Sequence, residues 1–198
     1  MTRFRLLAGV LLMVMGTAAG VNAAQDHPAT LTTPSNLSGL HDFDFLLGEW
    51  RVHSRRLKER LAGSNEWEEF EGTIVSRRYM DGWANVDDTV FHTPQGLYRG
   101  VAPRAYDPKS GEWAIWWIDG RNPFGSLDPP VKGRFVNGVG TFYATDTLRG
   151  QPIKIRFTWS HITSTSARWE QAFSGDSGKT WEPNWLQTLE RSERVNAQ

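Results

Sequence analysis

The sequence predicts an all-β fold, an antiparallel meander of short strands that closes on itself. Three observations lead to this prediction: about ten segments carry strand-forming residues, tight-turn residues separate them, and several segments alternate apolar with polar side chains. Asn137-Gly138 is the strongest two-residue hairpin signal among the turns. Over the ~150 residues available, such a meander closes into a barrel or splits into a sandwich.

The candidate strands, in chain order, are residues 48–61, 67–80, 84–91, 96–107, 112–119, 131–136, 139–147, 151–161, 167–174 and 181–191. The clearest alternation is in 151–161, where Ile153, Ile155, Phe157 and Trp159 share one face and the intervening residues are polar. Before the first strand, apolar residues at helical spacing predict a short helical turn.

The segment 112–119 differs from the others because it is apolar on both faces. A strand of this kind is expected to be covered on both sides. We therefore expect either a capping loop, such as residues 121–130, or a homodimer partner on its outer side.

Residues 1–23 predict a secretory signal peptide. Two arginines precede an apolar run over residues 6–15, and small residues before Ala24 fit cleavage after Ala23. The run is too short to span a bilayer comfortably, and no second apolar run follows it. We expect a periplasmic or secreted protein without a membrane span after signal removal. Residues 24–39 are rich in Pro, Ser and Thr and predict a flexible lead, so the barrel domain covers residues 40–192.

Composition excludes several classes of function. The chain has no cysteine, so thiol chemistry is excluded and stability must come from packing rather than disulfides. Its 22 basic and 22 acidic residues leave no net charge, which argues against a nucleic-acid partner. Ten tryptophans and ten phenylalanines predict a wide core, an aromatic-lined cavity, or both.

The motif Gly48-Glu49-Trp50, at the start of the first strand, resembles the G-x-W signature of lipocalins. HDFDFLLGEW (41–50), EWAIWW (112–117) and a last strand ending in Arg191 extend the pattern, which resembles exported bacterial lipocalin-like (calycin) domains over residues 40–191. The resemblance implies a calycin barrel of about 8–10 strands with a central cavity. It also implies that Trp50 plugs one end and Arg191 lies over its indole. No ligand follows from it.

Residues 174–181 resemble the Asp-box, S-x-D-x-G-x-T-W, which sialidases and other β-propellers repeat once per blade. Here the motif occurs once, whereas a propeller repeats it every ~40–45 residues. We therefore interpret Asp176, Gly178 and Trp181 as structural residues of a hairpin before the last strand. The aspartate would accept backbone N–H bonds, the glycine would supply a positive φ, and the tryptophan would pack beneath the turn.

The predicted function is binding of a small apolar or aromatic molecule in a tryptophan-lined cavity. Arg104 is the arginine chosen to orient the ligand, because it shares strand parity with Tyr98 and Tyr106. The predicted ligand-binding residues are Trp117, Trp159, Trp169, Trp185, Gln171, Asp119 and Arg104.

Two other functions stay open at this stage. The same barrel could be an isomerase, cyclase, hydratase or lyase that uses acids near the aromatic strands, such as Asp87 and Asp88, with catalytic residues unassigned. A carbohydrate-binding module would instead display tryptophans on an outer face. No cofactor and no metal site are predicted, since the five histidines show no metal-ligand spacing, although His53 or His161 could ligate haem.

Overall fold

The computed structural model of the protein describes residues 36–192. The predicted signal peptide, 1–23, and most of the predicted lead, 24–39, lie outside the described residues. The strands are β1 (Gly48–Leu57), β2 (Trp67–Tyr79), β3 (Ala84–Thr93), β4 (Gly96–Asp107), β5 (Glu112–Ile115), β6 (Ile118–Asp119), β7 (Val131–Val136), β8 (Val139–Leu148), β9 (Gln151–Ser160), β10 (Ser166–Ser174) and β11 (Glu182–Arg191). Two 3-10 turns, Asp44–Leu46 and Met80–Gly82, are the helical elements of the described region. No helix within it is long and apolar enough to cross a membrane.

Ten of these strands form a closed antiparallel barrel. They pair in the order β3-β2-β1-β11-β10-β9-β8-β7-β5-β4, and β4 pairs with β3 to complete the ring. The two-residue strand β6 is an addition that pairs with β4 at Gly100 and Val101. The predicted all-β, lipocalin-like barrel is therefore confirmed. Closure leaves the strands with paired neighbours instead of long open edges.

The predicted strand 112–119 is broken in two, and the prediction of one continuous strand was wrong. β5 ends at Ile115, the backbone N–H of Trp116 donates to the Pro103 carbonyl (3.0 Å), and pairing resumes at Ile118. Because of the break, Trp116 and Trp117 both line the barrel interior. In a continuous strand, these consecutive residues would point to opposite faces of the sheet. Ile118 remains 40% exposed, so within the described residues its outer side has no complete cover. The homodimer stays a prediction.

One end of the barrel is filled by Trp50, which is fully buried. Its indole Nε1 donates to the Leu46 carbonyl at 2.7 Å, and the guanidinium of Arg191 lies over the ring. Phe43 and Leu46, from the 3-10 turn region before β1, pack into the same core. The chain that precedes β1 therefore closes this end of the barrel.

The loop between β10 and β11 contains the Asp-box residues. The Asp176 carboxylate accepts hydrogen bonds from the backbone of Lys179 (3.0 Å), from the backbone and hydroxyl of Thr180 (2.9 and 2.7 Å) and from the Ser174 hydroxyl (2.7 Å). The bonds from Thr180 are the main cause of a pKa held well below the ordinary value of Asp176. Gly178 has a φ of +93°, and the ring of Trp181 lies under the guanidinium of Arg156. All of these hydrogen bonds to the Asp176 carboxylate come from residues of the turn itself.

Candidate functional site

The barrel interior holds a cavity of about 350 Å³. Alternation along the strands produces it, because every second residue of a strand faces the interior. On β9, for example, Ile155, Phe157 and Trp159 line the cavity. The volume lies within the range of small-molecule sites in proteins, about 300–1,000 Å³.

Aromatic rings make up much of the wall. The aromatic lining residues are Phe91, Tyr98, Trp116, Trp117, Phe157, Trp159, Trp169, Phe173 and Trp185. Trp169 meets Phe157 edge to face at 4.9 Å between ring centroids and meets Trp185 in the same way at 5.7 Å. Interlocked rings of this kind hold one another in place, so a flat apolar ligand would meet a preformed surface.

The inner end of the cavity, beside the buried ring of Phe43, carries an ion pair. The Arg104 guanidinium donates to Asp87 Oδ2 at 2.6 Å and to Asn85 Oδ1 at 3.0 Å. Asp87 and Arg104 are 2% and 4% exposed, and Arg104 Cζ lies 4.9 Å from the centroid of the Phe43 ring. The two opposite charges are thus buried away from solvent. Removing either one would leave the other as a buried charge without a partner.

Several buried polar atoms of the lining have no hydrogen-bond partner among the described residues. They are Asp87 Oδ1, Arg60 Nε, Arg104 Nε, Trp159 Nε1 and Trp185 Nε1. Buried polar groups in folded proteins are nearly always paired, so several unpaired groups in one lining are an unusual feature of this cavity.

The exposed end of the cavity is built by a cluster that we call the entrance cluster: Tyr98, Trp117, Asp119 and Arg121. The Trp117 indole donates to the Tyr98 hydroxyl at 3.0 Å, and the Tyr98 hydroxyl lies 3.4 Å from Asp119 Oδ2. Arg121 donates to both carboxylate oxygens of Asp119 and places its Cζ 3.9 Å from the Tyr98 ring centroid. Burial, reinforced by the Asp119 charge, raises the pKa of Tyr98, while the bonds from Arg121 lower the pKa of Asp119.

The charges of the lining balance. The charged lining residues are four arginines and four aspartates: Arg56, Arg60, Arg104, Arg121, Asp87, Asp119, Asp128 and Asp146. Burial lowers the pKa of Arg60, and the neighbouring guanidinium of Arg56 adds to this effect. With no excess of either sign, the lining does not select strongly for an ionic ligand.

All seven residues predicted from the sequence to bind ligand line this cavity: Trp117, Trp159, Trp169, Trp185, Gln171, Asp119 and Arg104. All three polar ones already make hydrogen bonds. Gln171 donates to Asn184 Oδ1 (2.8 Å), and Asp119 accepts from Arg121. Both Nη atoms of Arg104 bond Asn85 and Asp87. These bonds use one N–H of each Nη atom of Arg104, and its Nε has no partner among the described residues. Whether the seven residues contact a ligand remains a prediction.

Other lining residues were not assigned from the sequence. Asp87 was considered only as an acid near aromatic strands, although its parity with Phe91 on β3 could have placed it inside. Arg60 and Trp116 gave no such signal, because one follows the end of β1 and the other lies in the break between β5 and β6.

No histidine lines the cavity within the part of the chain described. His53 and His161 instead line a separate groove, and the His53 ring contacts Glu71 at 2.7 Å. Residues 36–192 contain no cluster of three or more His, Cys, Asp or Glu that could hold a metal ion.

Comparison with known proteins supports a fold class. No family model and no curated protein matches the sequence. Among solved structures, the S-type phycobiliprotein lyase CPES from Guillardia theta is similar over 76% of this chain and 90% of its own, with 12% sequence identity and a TM-score of 0.50. At this identity the likeness shows the fold alone. Together with the strand order, it defines a calycin-like β-barrel with an internal cavity.

Two further solved structures are similar at lower TM-scores. EF1p2_mFAP2b, solved bound to DFHBI, is matched over 78% of this chain and all of its own, at 12% identity and a TM-score of 0.43. A de novo designed fluorescence-activating β-barrel is matched over 75% of this chain and 95% of its own, at 10% identity and a TM-score of 0.41.

Proposed function

We propose that the protein binds a small, largely apolar or aromatic molecule inside the barrel. The observation that carries the proposal is the cavity of about 350 Å³, walled by aromatic rings and interrupted by a few buried polar atoms without partners. Burial of apolar surface against the rings would supply affinity, and the polar atoms would fix orientation. The balanced charges of the lining favour a ligand that carries no net charge.

We also propose that this binding takes place outside the cytoplasm. The support is the sequence of residues 1–23, with its basic start, apolar run and small residues before Ala24. Fractionation of expressing cells, followed by intact-mass measurement of the protein, tests it. A periplasmic or extracellular species beginning at Ala24 is expected, and a full-length cytoplasmic species would contradict export.

An enzyme on the same barrel is supported less well. Two of the lining aspartates form separate ion pairs, Asp87 with Arg104 and Asp119 with Arg121. No histidine among the described residues lines the cavity beside them. The described lining therefore contains no histidine–carboxylate pair of the kind that acid–base enzymes commonly use. A carbohydrate platform is also disfavoured, because Trp117 is the most exposed of the ten tryptophans at only 36%.

The experiment that tests binding inside the barrel is a matched pair of substitutions on β4. Ala102 lines the cavity, whereas Ala105 lies on the outer face of the same strand. Ala102→Phe fills the cavity and Ala105→Phe adds the same ring outside. Naphthalene derivatives titrated calorimetrically should bind the wild type and Ala105→Phe and should lose at least tenfold in affinity for Ala102→Phe.

Thermal melts of both variants check that the barrel is intact. Equal affinity in the two variants would contradict binding within the cavity. Failure of every apolar or aromatic probe to bind the wild type would contradict the proposed function itself.

A further inference from the structure

We propose that the inner end of the cavity recognises a hydroxyl group, phenolic or alcoholic, on the buried end of the ligand. In this arrangement Asp87 Oδ1 accepts the hydroxyl hydrogen and Trp159 Nε1 donates to the hydroxyl oxygen. The inference rests on the proposed function and specifies the chemical class of ligand for that cavity.

The first observation is the free oxygen of Asp87. One oxygen of this carboxylate, Oδ2, is bound by Arg104 at 2.6 Å. The other, Oδ1, is buried and has no partner among the described residues, while the whole residue is 2% exposed and lines the cavity. A buried carboxylate oxygen without a donor is unfavourable, so a donor arriving with the ligand would gain more than it would from water.

The second observation is the indole N–H of Trp159, which is the complementary group. Trp159 is 3% exposed, its Nε1 has no acceptor among the described residues, and its ring lines the same cavity. Arg104 connects the two groups in space, because it bonds Asp87 and places its Cζ 5.9 Å from the Trp159 ring centroid. The side chains of Asp87 and Trp159 therefore both adjoin one guanidinium at the inner end.

A hydroxyl matches this pair better than the other common polar groups do. It donates one hydrogen and accepts through its lone pairs, so a single atom satisfies both protein groups. A carboxylate would bring its charge against Asp87, and it has no hydrogen to donate to the unpartnered Asp87 Oδ1. An ammonium could donate to Asp87 but could not accept from Trp159, and it would face the Arg104 cation.

The acceptor is also held in place before any ligand arrives. Arg104 is fixed by its bonds to Asp87 and Asn85 and by its position against the Phe43 ring. Because the acceptor is already fixed, binding loses little conformational entropy there. The hydrogen bond would mainly increase the affinity for ligands with a hydroxyl over ligands without one.

The test uses three probes of similar size: 2-naphthol, 2-methylnaphthalene and 2-naphthoate. Calorimetric titration of the wild type should show 2-naphthol binding about tenfold or more tighter than 2-methylnaphthalene, as expected for a hydrogen bond to a charged group. In Asp87→Asn and in Trp159→Phe this ratio should fall several-fold. Trp181→Phe, which removes an indole outside the cavity, is the matched control and should keep the wild-type ratio.

Trp159→Phe keeps the test decisive if Asp87→Asn does not fold, because it removes only the N–H and part of the ring. A wild type that binds 2-methylnaphthalene as tightly as 2-naphthol, or 2-naphthoate most tightly, would overturn the hydroxyl site and leave binding in the cavity standing. An unchanged ratio in Trp159→Phe would also overturn it. If none of the three probes binds the wild type, both the hydroxyl site and the proposed function fail.

Discussion

The guanidinium of Arg191 lies over the indole of Trp50, with its Cζ atom 4.2 Å from the ring centroid. The two residues are direct partners in the pairing of β1 with β11. The same guanidinium donates to the carbonyls of Phe45, Leu47 and Ser164, each at 2.7 Å. One side chain thus joins the last strand, the segment before β1 and the β9–β10 loop.

Replacing this arginine should weaken the closed end of the barrel. Arg191→Lys keeps the charge but loses the planar fork that serves three carbonyls, and it stacks less well on the indole. We expect the free energy of unfolding in urea to fall by about 2–4 kcal/mol, from hydrogen bonds that involve a charged donor.

Arg51→Lys is the matched control for this change. Arg51 is on β1, next to Trp50, but it is exposed and lies 3.5 Å from Glu190. Its substitution should change the free energy of unfolding by no more than about 0.5 kcal/mol. Equal effects of the two substitutions would contradict a special role for Arg191.

Asp176 should make stability depend on acid pH. Its folded-state pKa is held below the ordinary value of 3.8, chiefly by the hydrogen bonds from Thr180. The ionised group therefore stabilises the fold above 3.8, and this contribution is lost as the pH falls below that value toward the folded-state pKa. We expect Asp176→Asn to melt below the wild type at neutral pH and the gap to narrow in acid. A gap that is constant with pH would contradict the assignment.

The same substitution should leave ligand binding intact. Asp176 lies in the β10–β11 turn and does not line the cavity. Probe affinity measured below the melting temperature of Asp176→Asn should equal that of the wild type. Selective loss of binding in a folded variant would instead connect the Asp-box to function.

Strand positions were predictable where local chemistry decides them. The predicted strands 96–107 and 131–136 match β4 and β7 residue for residue, because Pro, Gly and Asn turns bound them closely. β1 ends at Leu57 rather than 61, although the Lys58 amide still donates to the Glu66 carbonyl at 2.9 Å.

Features that depend on distant contacts were not predictable in the same way. The break between β5 and β6 involves Trp117 packing against Gly100, which lies in another strand. The parity of Arg104 correctly indicated an inward side chain, but not that Asp87 and Asn85 would occupy its guanidinium. Periodicity indicates which face a residue occupies, whereas its partner on the neighbouring strand follows only from strand order and register.

Tyr98 should make stability depend on alkaline pH. Burial, with the nearby Asp119 charge, raises its pKa above the ordinary value of 10.0. The neutral phenol therefore contributes its full share to the free energy of unfolding below pH 10.0. This share is lost as the pH rises through the folded-state pKa, because the unfolded chain ionises first. Tyr98→Phe should therefore show a shallower fall in melting temperature above pH 10 than the wild type.

The control for Tyr98 is Tyr143→Phe, since Tyr143 is 51% exposed and does not line the cavity. That variant should follow the wild-type curve in alkali. The slope above pH 10 is the readout. It separates ionisation from the loss of the Trp117 hydrogen bond, which lowers stability at every pH. Parallel curves for Tyr98→Phe and the wild type would contradict the prediction.

Gly100 is a residue at which a single methyl group should disturb the entrance cluster. A Cβ added there would overlap the Trp117 ring, with Cε2 only 2.8 Å away, so the indole must move and its bond to the Tyr98 hydroxyl must break. Gly100→Ala should lower the free energy of unfolding by about 1–3 kcal/mol, as overpacking does. The cost should largely disappear in a Trp117→Leu background, where the ring is gone.

Gly175→Ala is the control for the added methyl group, because a Cβ at this position would lie 3.7 Å from its nearest neighbouring atom. An equal cost of Gly100→Ala in both backgrounds would show that the Trp117 ring is not what the glycine accommodates.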